Sequence, residues 1–181
     1  FMCPFCSTRN MISYHVLPPS MQDVTYPKWW IQRPKMGVSK LVGISQEQSE
    51  VFQKLLDLTW KNVTTRDRRY KDPPRLKLLA AQQNCNPKLW RNYVLARKSI
   101  ELRERPLDRF TAKTSDVLGD RETRLGTLCS AVNELLLFHG TKASACDSIC
   151  QSDFMVNLAG SNAGTLYGPG IYFAENSSKS D

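Results

Sequence analysis

His139, Gly140 and Thr141 follow a short apolar run, Leu135 to Phe138, and some thirty residues later Gly164, Gly168 and Gly170 lead into Ile171-Tyr172-Phe173-Ala174. These residue types can handle a nucleotide. A glycine at a strand end leaves its N–H and C=O open to a flat amide, because no Cβ blocks the approach. His139 can bond a sugar hydroxyl, and Tyr172 can stack on an aromatic ring or a nucleobase. A loop carrying three glycines can lie over a diphosphate and offer it N–H groups rather than charge. Side by side, these parts suit a dinucleotide. The competing reading is structural: a lone His beside a Gly is often a satisfied packing residue, and Ile-Tyr-Phe is a common core-strand run.

A second candidate chemistry lies near the other end. Cys3-Pro-Phe-Cys6 has the spacing of half a tetrahedral zinc site, and His15 is the one other nearby candidate ligand. Without a second pair, the alternative is a solvated, metal-free end. Cys85, Cys129, Cys146 and Cys150 lack the density of a secreted disulfide scaffold, so a reducing compartment is expected. Cys146 and Cys150 stand one helical turn apart among small apolar residues and read as buried free thiols rather than a redox pair.

The elements that must position these residues mix helices and strands without a βαβ rhythm, which predicts an α+β fold. Ser45-Gln46-Glu47-Gln48 fits a capping box before Val51, Phe52, Leu55 and Leu56, predicting a helix over about 46–60. A basic loop closes at Pro73-Pro74, and alternating Leu76, Leu78 and Ala80 predict a strand over roughly 75–84. Asn86-Pro87 supplies an N-cap and an N1 proline for a helix reaching about 104, stopped by Pro106. Residues 107–132 are weakly patterned, with a short helix expected near 122–131. Leu135–Phe138 and Ile171–Ala174 read as short buried strands, with a helix over about 142–151 between them and another starting at Glu175. Residues 1–27 read as an irregular lead-in and 28–44 as a linker, leaving 45–181 as the domain.

The 181 residues are 41% apolar and 23% charged, enough to build a core. The formal charge is +8, which suggests an acidic partner such as nucleic acid. Its distribution weakens that suggestion. Residues 61–105 hold 13 basic and 4 acidic groups, whereas 133–181 hold 2 and 5. Arg66, Arg68, Arg69 and Lys71 cluster in the loop, and Lys88, Arg91, Arg97, Lys98, Arg103 and Arg105 decorate the following helix. With Trp60 and Tyr70 among them a nucleic-acid surface is conceivable, but a solvated helix face is favoured. Trp29-Trp30 is likewise read as core or an inter-domain contact rather than a base-stacking platform. No secretory signal is visible, and the uncharged stretch Phe154–Ala174 is too rich in Gly, Pro and Asn to span a bilayer, so no membrane role is expected. Residue 1 is Phe and Asp181 carries no terminal signal, so the chain is expected to be a piece of a longer one.

Phe138-His139-Gly140-Thr141, followed by Leu166-Tyr-Gly168-Pro-Gly170-Ile171-Tyr172-Phe173-Ala174-Glu175-Asn-Ser-Ser-Lys-Ser180, resembles the catalytic core of the poly(ADP-ribose) polymerase family of ADP-ribosyltransferases. The His-Gly dipeptide, the G-x-G-I-Y-F-A strand and the S-x-K-S start come in family order and spacing. A weaker likeness extends upstream through Gln82-Gln83-Asn84, Pro87-Lys88-Leu89-Trp90 and Tyr93, so the resemblance covers about 45–181.

The resemblance implies an ADP-ribosyltransferase fold, with mixed or antiparallel sheets flanked by helices, incomplete at the C-terminus. It implies NAD+ as ADP-ribose donor, a pentosyl (glycosyl) transfer to protein acceptors, and no required metal. His139 and Tyr172 would be the catalytic residues. Gly140 would clamp the nicotinamide carboxamide through its backbone, helped by the Ser180 hydroxyl. His139 would bond the adenosine ribose, Thr141 would line the wall, Tyr172 would pack on the nicotinamide ring, and Gly168 and Gly170 would border the dinucleotide. The family triad's Glu falls beyond Asp181, so residues 1–181 are expected to bind NAD+ weakly and transfer nothing alone. Many members carry an Arg where Met155 stands, which leaves diphosphate recognition to backbone groups and to Asn157 or Ser161. The implied setting is intracellular, nuclear or cytoplasmic. The alternatives are a non-catalytic NAD- or ADP-ribose-binding module and a basic nucleic-acid-binding domain.

Overall fold

The computed structural model describes residues 25–34, 38–61, 75–103, 107–118, 128–156 and 168–179. Helix α1, Gln46–Thr59, starts at the capping box that its sequence predicts. Ser45 Oγ accepts the Gln48 N–H at 3.2 Å, and Gln48 Oε1 accepts the Ser45 N–H at 3.1 Å. Each side chain thereby satisfies a donor that the first helical turn leaves without an intrahelical partner.

Strand β1, Lys40–Gly43, pairs antiparallel with β2, Gln82–Cys85, in the register Lys40↔Cys85 to Gly43↔Gln82. β2 is shorter than the strand expected over 75–84. The alternating leucines lie outside any strand, and the backbone of two of them is bonded to a side chain instead of a neighbouring strand. Gln53 of α1 donates from Nε2 to the Leu76 carbonyl at 2.9 Å and accepts the Leu78 N–H at 2.8 Å. A glutamine amide presents the same donor and acceptor as a peptide group, so it can replace a strand neighbour locally. Arg75 closes this contact with two bonds of 2.7 Å to Asp57, and its guanidinium holds the Asp57 carboxyl below its ordinary value.

β2 runs directly into helix α2, Pro87–Glu101. Asn86 Oδ1 caps it by accepting the N–H groups of Lys88 and Leu89 at 3.0 and 3.2 Å, and Pro87 fills a position that needs no donor. The helix ends at Glu101 rather than near 104. On its first turns Trp90 stacks on Tyr93 at 5.3 Å and meets Trp29 and Trp30 edge-on at 6.2 and 6.0 Å. Trp30 is buried, and the Trp90 indole donates to the Thr25 carbonyl at 3.0 Å. The tryptophan pair is therefore a packing contact. On the same helix Lys98 pairs with Glu101, and Arg97 faces Glu101 and Glu134 at 3.8 Å. Arg66, Arg68, Arg69, Lys71 and Arg105 lie outside the described residues.

Helix α3, Lys113–Leu118, lies in the weakly patterned segment, ahead of the short helix expected there. Of the helix expected near 122–131, residues 122–127 lie outside the described set, and Ser130–Val132 is a single 3-10 turn. Helix α4, Ala143–Ser152, forms as expected. A last 3-10 turn covers Ser177–Lys179. Among the described residues the buried apolar side chains are Trp30, Leu55, Cys85, Ala112 and Val132, and Gln48, Thr59, Asn86, Thr114 and Ser177 are buried polar ones. The architecture is α+β: helices around a two-stranded antiparallel sheet.

Three sequence readings need correction. Leu135–Phe138 and Ile171–Ala174 meet in one antiparallel bridge, Phe138↔Ala174, with reciprocal bonds of 2.8 and 2.9 Å. They are not buried strands. Leu137, Tyr172 and Phe173 are exposed, because no described segment covers their outer side. Cys146 is exposed and Cys150 half-buried, since α4 lies on the surface. Burial, with Cys146 beside it, pushes the Cys150 thiol up, which keeps it protonated and unreactive at neutral pH.

Candidate functional site

The Phe138↔Ala174 bridge brings together the two segments that carry the candidate chemistry. One step beyond it, His139 faces Phe173, their ring centroids 5.3 Å apart. His139 Nδ1 lies 2.9 Å from the Tyr172 carbonyl oxygen. A carbonyl only accepts, so this geometry assigns the proton of the neutral ring to Nδ1 and leaves Nε2 as an acceptor. A ribose hydroxyl is the donor such a nitrogen would take.

Tyr172 is held at both ends of its residue. Its carbonyl receives His139, and its hydroxyl donates to the carbonyl of Gly168. Gly168 has φ +90°, a backbone conformation that residues with a Cβ rarely adopt, so glycine is required there. Tyr172 is 39% exposed. Gly140 and Thr141 are exposed just ahead of α4, and no hydrogen bond among the described residues engages the Gly140 backbone. Among the described residues nothing lies within 4 Å of where a Cβ would stand at Gly168 or Gly170. The His139 imidazole, a glycine backbone with no hydrogen-bond partner among the described residues and the half-exposed Tyr172 thus lie on the two segments that the bridge joins.

Two helices fix the frame around these segments. From α1, the Leu56 carbonyl accepts the Ser177 hydroxyl at 2.9 Å, Thr59 Oγ1 accepts the Ser177 N–H at 3.4 Å, and Ser178 Oγ accepts the Lys61 N–H at 3.1 Å. At α3, Thr114 donates to the Leu136 carbonyl at 2.5 Å, and Glu175 accepts the Lys113 N–H at 3.1 Å. Helix α3 thus holds both the His139 segment and the Tyr172 segment, and α1 holds the second of these as well. Behind the first of them, Glu134 accepts the Cys129 N–H at 2.6 Å, and burial pushes its carboxyl up.

His139, Gly140, Thr141, Gly168, Gly170 and Tyr172 lie in the two segments joined by the bridge. Ser180 lies outside the described residues, as do Asn157, Ser161, Gly164, Cys3 and Cys6. Met155 is exposed beside Phe154. Sequence reasoning missed Phe154. Its ring meets His139 edge-on at 5.0 Å and Phe173 at 5.1 Å. The available signal was an aromatic residue directly after the end of α4.

Two cavities lie elsewhere, about 410 Å³ between Trp29, Trp30 and the start of α1, and about 300 Å³ between β1, Asn84 and α4. Neither is lined by His139 or Tyr172. Among the described residues no cluster of three His, Cys, Asp or Glu side chains could hold a metal, and no helix is long and apolar enough to cross a membrane.

A family model described as "Poly(ADP-ribose) polymerase catalytic domain" matches residues 78–181, more than half of the chain. No curated protein matches it significantly.

Proposed function

This chain belongs to the poly(ADP-ribose) polymerase catalytic-domain family, whose members are ADP-ribosyltransferases, and from that premise we propose that its His139–Tyr172 face receives NAD+ as ADP-ribose donor for transfer to protein acceptors. The observation that carries the reading is the 2.9 Å contact of His139 Nδ1 with the Tyr172 carbonyl, which leaves Nε2 for a ribose hydroxyl. Gly140 offers its backbone N–H and C=O to the nicotinamide carboxamide, with Ser180 adding a hydroxyl. Tyr172 stacks on the nicotinamide ring, Thr141 borders the ribose, and backbone groups around Gly168 and Gly170 meet the diphosphate.

In the proposed reaction the bond between ribose C1′ and the nicotinamide nitrogen breaks. Its electron pair leaves with nicotinamide and neutralises the pyridinium charge. A nucleophile on the acceptor forms the new bond to C1′ and releases its proton to solvent. Positive charge spreads over the ribose ring in the transition state. Holding the amide at Gly140 and the far ribose at His139 fixes the donor across the bond that breaks, so orientation lowers the barrier. An intracellular setting, nuclear or cytoplasmic, belongs to the same proposal, since donor and acceptors must meet there.

The test pairs NAD+ titration with incorporation of labelled ADP-ribose and release of nicotinamide, in wild type, His139→Ala and Tyr172→Ala. Each substitution is expected to weaken NAD+ binding about tenfold or more, the size of one lost charge-neutral bond or stacking contact in a desolvated site. Binding or labelling unaffected by both substitutions would move the site elsewhere. Binding without nicotinamide release in a chain that also carries the family's catalytic Glu would make it a binding module.

A further inference from the structure

We propose that Phe154 is a positioning residue for His139, orienting the imidazole so that Nε2 meets the ribose. This rests on the reading of His139 given above. One hydrogen bond, His139 Nδ1 to the Tyr172 carbonyl, fixes a single atom of the ring. The ring plane can still swing about that bond, and Nε2, at the far side of the ring, moves with it. A second contact is needed to hold the plane.

Phe154 supplies it. The two rings stand at 87° with centroids 5.0 Å apart, within the edge-to-face range in which the aromatic quadrupole is attractive. Phe154 is itself braced by Phe173, at 5.1 Å and 76°, and Phe173 touches His139 at 5.3 Å and 45°. Three rings therefore contact one another in a closed triangle.

The position of Phe154 is set from outside this triangle. The last carbonyls of α4 are clamped by amides from the start of α2: Asn84 and Asn86 both donate to the Cys150 carbonyl at 2.9 Å, and Asn86 also to Gln151 at 3.2 Å. Asp153 then turns the chain with φ 112° and ψ 173°, and its Oδ1 accepts the Phe154 N–H at 2.7 Å. The ring is thus delivered to His139 by a rigid helix end. Phe154 is 36% exposed, so filling a core does not account for an aromatic residue there. Orientation of its neighbour does.

The experiment reads His139 directly. The chain has two histidines, so His15→Gln leaves one imidazole to follow by NMR. In that background Phe154→Leu keeps an apolar side chain but removes the ring, and Phe154→Tyr restores the ring. The leucine variant is expected to lose the ring-current displacement of the His139 Hε1 signal and to shift its tautomer balance toward a proton on Nε2, with the unfolding midpoint in urea unchanged. Its Kd for NAD+ rises about three- to tenfold, the scale of one aromatic pair. The tyrosine variant returns both readouts to wild type. An unchanged His139 signal in Phe154→Leu, or a tyrosine variant that behaves like leucine, overturns the proposal. The NMR readout needs no NAD+, so a wild-type chain that fails to bind NAD+ would end the functional reading and still leave the positioning role decided.

Discussion

The side-chain amide of Asn86 donates to the carbonyl of Cys150 at 2.9 Å across 64 residues of sequence. Its other atom, Oδ1, caps α2 by accepting the N–H groups of Lys88 and Leu89. One buried residue thus starts one helix and finishes another. The final carbonyls of α4 have no intrahelical donor, and Asn86 satisfies two of them. That joint lies at the helix end that carries Phe154 towards His139.

Asn86→Ala should therefore be costly. It removes the cap, worth about 1 kcal/mol, and two further bonds worth about 1 kcal/mol each at most, leaving Gln151 to find water while Cys150 keeps Asn84. The expected loss in a urea unfolding curve is about 2–3 kcal/mol. Asn86→Asp keeps the capping oxygen but cannot donate to Cys150 and Gln151, so its loss should be comparable. An aspartate variant as stable as wild type would show that the cap alone matters.

Asn86 also marks the boundary of what sequence could tell. The cap and Pro87 were legible, as was the box of Ser45 and Gln48, because donor and acceptor lie within four residues of each other. The bond from Asn86 to Cys150 was not, since nothing local encodes it. The same holds for Gln53, whose amide takes the place of a strand beside Leu76 and Leu78. The alternation of those leucines predicted a strand that the structure confines to Gln82–Cys85, and it does not say what bonds their backbone. At the site, the types of His139, Gly140 and Tyr172 suggested a chemistry, but the bridge that brings their segments together was not legible. Phe154 gains its meaning only from the helix end that aims it, and Cys146 was misjudged because a helix of small residues does not reveal which face turns to solvent.

Glu134 sets a pH dependence whose sign follows from its surroundings. Burial holds its carboxyl above the ordinary 4.5, against the opposing pull of the Cys129 N–H. A carboxyl raised on folding binds more protons folded than unfolded. Stability therefore falls as pH climbs from the unfolded value through the folded one, and the cost is fully present above it. Glu134→Gln keeps an oxygen for the Cys129 N–H and loses only a long 3.8 Å contact with Arg97. Urea midpoints at pH 5 and pH 8 should show a flatter profile for the glutamine variant, which should match or exceed wild type at pH 8. A glutamine variant that loses stability at pH 8 would mean that the contact with Arg97 outweighs the burial of the charge.

Asp153 carries strain. Its φ of 112° with ψ of 173° falls in a region occupied almost only by glycine and costs a residue with a Cβ about 1–3 kcal/mol. Asp153→Gly relieves that cost, loses the 2.7 Å bond to the Phe154 N–H, and adds about 0.5–1 kcal/mol of backbone entropy to be lost on folding. The net expectation is stabilisation by about 1 kcal/mol in thermal or urea unfolding. A destabilised glycine variant would show that the short side-chain bond, rather than the backbone, governs this turn.

Ser177 links the helical frame to the site. Its hydroxyl donates to the Leu56 carbonyl at 2.9 Å, its N–H reaches Thr59 Oγ1, and the side chain is 2% exposed. Ser177→Ala removes one buried bond and leaves a carbonyl of α1 without this donor, so a loss of about 1–2 kcal/mol is expected in urea unfolding. The effect should also extend to the ligand. The turn Ser177–Lys179 precedes Ser180, which the functional reading places on the nicotinamide amide, and a turn released from α1 delivers that hydroxyl less accurately. NAD+ affinity should fall about three- to tenfold at a temperature where the variant is still fully folded, the range of one imperfectly placed hydrogen bond. Thr59→Val perturbs the longer 3.4 Å contact to the same residue and should give a smaller shift in the same direction. A Ser177→Ala chain that loses stability but binds NAD+ as wild type does would detach this turn from the nicotinamide end of the site and leave donor binding to His139, Gly140 and Tyr172.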